Sequence, residues 1–299
     1  MSLFPYSQIY LTKAHRDFAG IQKSSKNAYF VIVGMPYDST TTYRPGTRFA
    51  PISIRDASIN IETNSILNNI YLEDVDFFDA GDVDIIGMDV REVLRRITSI
   101  AKEANESKKI LISLGGEHTV TYGIAKGMKF DSIFVFDAHL DLRDEYPLSI
   151  KYGHATVTRR ICEELNPPRV TLIGARAFSK EEEEFAKKRE LEIIDILRIK
   201  ENLSECVDLL KRAAEESSRI YISIDMDAID PSIAPGVSNP EPFGLSMYEF
   251  FKLLKPLLTK KVVGLDLVEV CPTYDNGNTS VLAARILLEC LTSIWVNRL

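Results

Sequence analysis

Cysteine, tryptophan and histidine are scarce in this chain, and each scarcity excludes something. The four cysteines, Cys162, Cys206, Cys271 and Cys290, are scattered with no C-x-x-C pair. That spacing excludes a zinc ribbon and a disulfide framework, and fits a reducing cytoplasm. Basic residues are outnumbered, 36 Lys and Arg against 43 Asp and Glu, for a net charge of -7. The basic footprint of a nucleic-acid protein is therefore missing, and an acidic surface favours a cationic ligand only weakly. The first twenty residues have no apolar core of the kind a secretion signal requires. No run approaches the roughly 18 apolar residues that a membrane helix needs. Gly/Ser-rich linkers, repeats and low-complexity segments are also missing, so the expectation is one domain over residues 1–299, with neither a nucleic-acid nor a membrane partner.

What is present is an alternation of apolar strand-like runs with helical periodicity. Strands are expected over residues 29–34, 109–114, 132–136, 169–174, 191–194, 219–224 and 262–267, with a weaker one over 72–77. Helical spacing falls between them, over 90–104, 181–189, 203–216, 246–258 and 280–295. The acidic stretch Glu181 to Glu184 reads as the first turn of a helix opened by Ser179. Continuous Val/Ile/Leu strands separated by helices imply an α/β fold. Its sheet, of about eight strands, is mainly parallel and covered on both faces.

In such sheets ligands bind beyond the carboxyl ends of the strands, and there the unusual polar residues collect. Gly115-Gly116-Glu117-His118 follows one strand, Asp137-Ala138-His139-Leu140-Asp141 a second, Asp225-Met226-Asp227 a third, and Glu269 a fourth. Residues two apart in extended chain share a face. Asp137, His139 and Asp141 therefore converge, as do Asp225 and Asp227. Four carboxylates held together are unfavourable unless cations neutralise them. Two divalent ions balance four aspartates and leave His118 and His139 as neutral ligands. A short D-x-D alone is a weak signal, because carboxylates often cap turns. D-A-H-x-D is more specific, and three of the four histidines, His118, His139 and His154, lie in this set of motifs. The remaining one, His15, reads as a surface residue. Ligation rich in oxygen and free of thiolate favours Mn²⁺ over zinc. Two ions sharing carboxylate bridges would activate a water for hydrolysis.

The four motifs, GGEH, DAHLD, SIDMDAIDP and GLDLVEVCP, resemble in order and spacing those of the ureohydrolases, the family that includes arginase and agmatinase. The resemblance runs from about Val31 to the C-terminal helix. It implies a three-layer α/β/α arginase-like fold and two Mn²⁺ per chain. It assigns one ion to His118, Asp137, Asp141 and Asp225, and the other to Asp137, His139, Asp225 and Asp227, with Asp137 and Asp225 bridging. It makes His154, in Tyr152-Gly153-His154-Ala155-Thr156, a proton shuttle for the leaving amine, with Asp141 as the alternative proton donor, and Glu269 the partner of a substrate guanidinium. Read without the family, His154 starts a helix and Glu269 forms a salt bridge. The implied reaction is attack of a metal-bridging hydroxide on a guanidino carbon, releasing urea and an amine from a small cationic substrate. A homo-oligomer, trimer or hexamer, is implied as well.

The segment Gly34-Met35-Pro36-Tyr37-Asp38, with Thr41 to Gly46 and Pro51 to Arg55, looks like the agmatinase branch and points to agmatine and putrescine. N1-aminopropylagmatine, guanidinobutyrate and arginine fit the same core. After Asp141 the chain reads Leu142-Arg143-Asp144-Glu145-Tyr146. Asp144 and Glu145 there would attract the far ammonium of agmatine or sit as a solvated loop tip, while Arg143 argues the other way. A zinc deacetylase on a related fold would carry a His-His pair, which this chain lacks. A silent assembly subunit has no reason to keep mutually repelling carboxylates.

Overall fold

The structure is a computed structural model and describes residues 6–25, 28–85 and 87–299. Among the described residues nine strands join in one sheet: β1 (Leu11–Thr12), β2 (Phe30–Gly34), β3 (Phe77–Val83), β4 (Ile110–Leu114), β5 (Ser132–Phe136), β6 (Arg169–Ile173), β7 (Glu192–Ile194), β8 (Ile220–Asp225) and β9 (Val262–Val268). Their order is β1-β3-β2-β4-β9-β8-β5-β6-β7, and only β1 against β3 is antiparallel. Strand residues alternate between two apolar layers. Ile110, Ile112 and Leu114 face helices 50–58, 196–216, 247–254 and 278–296, while Leu111, Ile133, Val135 and Tyr221 face helices 90–106, 119–127 and 180–188. Because both faces are covered, β4, β5 and β8 are buried at every position and read as nearly continuous apolar runs.

Several expectations need correcting. The segment expected as a strand over 72–77 is instead a 3₁₀ turn, Leu72–Asp74, with β3 beginning where it should have ended. The strand was obscured by its own charges, Asp79 and Asp82. Both are neutralised by Arg55 from the helix Ala50–Ser58, at 2.7 and 2.6 Å. The helix expected over 203–216 starts at Ile196, and Asn202 sits at a kink inside it. The helix Thr119–Gly127 carried no amphipathic signal because nearly all of it is buried. The C-terminal helix Asn278–Val296 is long and apolar enough to span a membrane by length and composition, contrary to the expectation of no such run. Here 72% of its apolar window is buried inside the fold. The expected opening of a helix at Ser179 is observed as a capping box with Glu182.

Candidate metal centre

Four adjacent strands in the middle of the sheet, β4, β9, β8 and β5, carry every predicted site residue except His154 at or beyond their carboxyl ends. Ile224 stands opposite both Phe136 and Leu267 in the ladder, so Asp225 and Asp137 leave the sheet side by side. Asp225 ends β8, and its Oδ1 accepts the Asp227 amide at 2.8 Å. Asp137 Oδ1 likewise accepts the His139 amide at 2.6 Å. These Asx turns hold the alternate residues toward one side. Asp141 and Glu269 both have left-handed backbones, φ 51° and 64°. Such strain costs roughly 1–3 kcal/mol each and collects at functional sites.

The six proposed ligands meet. His118 Nδ1 lies 3.1 Å from Asp137 Oδ2, 2.9 Å from Asp141 Oδ2 and 3.4 Å from Asp225 Oδ2. His139 Nδ1 lies 3.0 Å from Asp227 Oδ2 and 3.5 Å from Asp137 Oδ1. Two triads of convergent ligand atoms result, His118/Asp137/Asp141 and Asp137/His139/Asp227, with Asp137 common to both. Asp225 touches the first from the side, at His118.

The electrostatics fit cations. His118 Nε2 sits 3.0 Å from Ser223 Oγ, and Ser223 spends its single proton on Asp266 Oδ1 at 2.7 Å. Nε2 therefore carries a hydrogen, and Nδ1 is the ring atom turned to the three carboxylates, from which a cation would be bound once its proton is displaced. His118 Nδ1 and Asp137 Oδ2 are buried without a hydrogen-bond partner. Burial raises the Asp141 carboxyl to about 7 with help from the Asp137 charge, and pushes Asp225 well above its ordinary range with help from Asp227 and Asp137. Burial disfavours charge on His118 and His139, yet the surrounding aspartates outweigh it and raise both well above the usual imidazole value. Protons thus substitute for positive charge that the cluster lacks. Metal cations among four aspartates and two imidazoles would supply it.

Beyond the ligands, Glu269 accepts the His118 amide at 2.7 Å and the Ser238 hydroxyl. Burial raises its carboxyl to about 8, with a contribution from Glu117. His154 stands across a pocket of about 470 Å³ that His139, Asp141, Tyr43 and Glu241 also line. Its Nε2 is 3.2 Å from Thr42 Oγ1. Burial, then the positive His139 and His118, lower its pKa to about 4, so the ring rests neutral rather than as imidazolium.

Asp144 and Glu145 do not line this pocket. Asp144 pairs with Arg160 at 2.8 Å, which holds its carboxyl below the usual range, and Glu145 faces Lys151 at 3.8 Å. Arg143 does line it, stacked over the Tyr146 ring at 4.6 Å. His15 is exposed and lies apart from the cluster. Cys271 is buried against the Arg44 and Pro45 carbonyls, a packing role. Sequence reasoning missed Glu241, whose Oε1 is 3.8 Å from His139 Nε2, and Asp266. Asp266 had a readable signal, a lone carboxylate inside an apolar strand. Glu241 had none beyond lying between two prolines.

The sequence model of the arginase family matches residues 28–292. An agmatinase of Pyrococcus horikoshii is 36% identical over 265 residues, covering 88% of this chain and 90% of that protein. An N(1)-aminopropylagmatine ureohydrolase of Thermococcus kodakarensis is 34% identical over 265 residues, covering 88% and 89%. The crystal structure of the agmatine ureohydrolase of Thermoplasma volcanium superposes with a TM-score of 0.84 at 39% identity, covering 91% of this chain and 92% of that one. With that architecture and a His/Asp cluster able to hold metal, the chain belongs to the arginase family of binuclear-metal ureohydrolases.

Proposed function

We propose that this chain hydrolyses agmatine to putrescine and urea with two manganese ions. The observation that carries the reading is the pair of His/Asp triads sharing Asp137 beside a pocket of about 470 Å³. The relatives named for agmatine supply the substrate, and a thiolate-free, oxygen-rich ligand set suits Mn²⁺. In this reading His118, Asp137, Asp141 and Asp225 hold one ion, and Asp137, His139, Asp225 and Asp227 the other. Bound there, a pair of divalent cations supplies Lewis acidity and brings the pKa of water near neutrality.

The chain's own residues do the rest. A guanidinium is permanently charged and a poor electrophile, so its orientation matters. Glu269, fixed by the His118 amide and Ser238, keeps lone pairs for two guanidinium N–H donors, and their charge holds it ionised. Water adds to the guanidino carbon, the bond to the alkyl-bearing nitrogen breaks, and that nitrogen takes a proton. His154, neutral at rest, accepts the water's proton on a ring nitrogen and passes it to the leaving amine. Asp141 is the other group proposed to carry that proton.

A second reading is N1-aminopropylagmatine, a longer polycation. It is favoured by a pocket in the range that takes drug-sized ligands and by the relative named for it. Urea release from agmatine, aminopropylagmatine, guanidinobutyrate and arginine separates the possibilities. Agmatine is expected to be preferred; preference for arginine overturns the choice. Fewer than two ions per chain in excess Mn²⁺, with no activity, supports a silent assembly subunit instead.

A further inference from the structure

Glu117 belongs to the GGEH motif yet holds no place in the ligand sets above. It is fully buried, and every partner of its carboxylate is a neutral donor. Oε2 accepts the Thr40 amide at 2.7 Å and the Thr41 hydroxyl at 3.2 Å. Oε1 accepts the Thr119 hydroxyl at 2.5 Å and the Thr40 hydroxyl. Three consecutive threonines, Thr40 to Thr42, thus start from one carboxylate and run toward the pocket. Thr40 Oγ1, its proton given to Glu117, accepts the His154 amide at 3.2 Å. Thr42 Oγ1 meets the His154 ring at Nε2, also at 3.2 Å. The loop's approach is close: a Cβ on Gly116 would lie 2.0 Å from the Tyr37 carbonyl oxygen, and the Glu117 amide donates to that carbonyl at 2.7 Å.

A buried carboxylate costs several kcal/mol unless its acceptors are filled. Here three of the four donors come from the loop that grips His154. We infer that Glu117 is a positioning residue: by anchoring the Thr40–Thr42 loop it fixes both the backbone and the ring of His154. A ring held at one nitrogen by Thr42 presents the other in a set direction, and proton transfer depends on that direction. The kinetic part of this inference rests on the proton transfer proposed for His154.

The test uses the full chain loaded with Mn²⁺, as Glu117→Ala, Glu117→Gln, His154→Asn and the Glu117→Ala/His154→Asn double variant. Metal content is measured first and is expected to match the parent. Glu117→Ala is expected to lower kcat about 10- to 100-fold with KM within about threefold, the signature of a misplaced proton carrier. Glu117→Gln keeps an acceptor for the Thr40 amide, and the threonine hydroxyls can rotate to accept from its NH₂, so it recovers most of the loss. In the His154→Asn background the Glu117→Ala loss disappears, because both act through one group. Amide hydrogen exchange over residues 150–156 quickens about tenfold or more in Glu117→Ala and stays at the parent rate in Glu117→Gln. Equal losses in both backgrounds, or unchanged exchange in Glu117→Ala, overturn the inference. If Glu117→Ala does not fold, Thr40→Val severs the same link from the loop side. If the parent releases no urea from any guanidino compound, the function proposed above fails, and the exchange result alone decides the positioning role.

Discussion

Asp225 gives a prediction in which a single substitution changes sign with metal. Its carboxylate is raised well above the ordinary range by burial first, then by Asp227, Asp137 and Glu269. Ion binding at 100 times Kd adds about 2.7 kcal/mol per ion, so two ions add about 5 kcal/mol. A chain of 299 residues unfolds with an entropy of about 0.6 kcal/mol/K, so chelation is expected to lower Tm by about 8 °C. In stripped protein at pH 8, Asp225→Asn removes a carboxyl that must either face repelling neighbours or take up a proton, and its Oδ1 still accepts the Asp227 amide. It should therefore melt about 2 °C above stripped wild type, yet gain little from added Mn²⁺. The pH dependence has the same origin. Asp141 moves from 3.8 to about 7 and Glu269 from 4.5 to about 8. A carboxyl raised on folding contributes stability at low pH that is lost as pH climbs through its folded value. Stripped protein should accordingly lose stability between about pH 4 and pH 8, whereas loaded protein, which needs ionised ligands, should not. Differential scanning calorimetry on chelated and loaded samples decides it. A stripped Asp225→Asn that melts below stripped wild type, or a Tm indifferent to chelation, refutes the reasoning.

Three further predictions concern other links. His154→Asn should lower kcat about 100-fold while leaving metal content and KM nearly unchanged; urea assays beside metal analysis would expose an unchanged kcat. Asp266→Asn disturbs the partner that orients His118 through Ser223, and should weaken metal affinity about 10- to 100-fold in a chelator competition. Arg55→Met leaves Asp79 buried without its bidentate partner, originally at 2.7 and 2.8 Å, and should cost about 3–5 kcal/mol in urea denaturation.

What could be read in advance followed from burial. Central strands covered on both faces show as continuous apolar runs, so β4, β5, β8 and β9 were legible to within a residue or two. The polar residues just past them stood out for the same reason. Legibility failed where charge or uniform burial hid the pattern. Asp79 and Asp82 broke up β3 because their neutralising partner, Arg55, comes from a helix more than twenty residues earlier. The helix Thr119–Gly127 is buried everywhere but Lys126, which leaves no polar stripe to mark its period. Within the site, ligands in D-x-D and D-x-H spacing advertise themselves through a shared face. Glu241 and Thr42 reach the pocket from loops, where nothing local says which way a side chain will turn. Asp144 and Glu145 show the converse, acidic residues near the ligands whose charges are taken by Arg160 and Lys151.

The placement of the proposed ligands after β4, β8 and β5, with β9 between the first two, also dictates when the full centre can exist during folding. His118 and Glu269 are 151 residues apart in the chain yet joined by a hydrogen bond, and β9 lies between β4 and β8 although it is the last strand made. No fragment ending before β9 can close the ladder from β4 to β8. Before then β5 and β8, which pair directly, could gather only the Asp137/His139/Asp227 half of the centre. Unlike a zinc finger, whose metal drives a short segment to fold, this chain completes its slow, non-local parallel pairing first. Completion of the half built on His118 is then a late event, a report that the middle of the sheet has closed.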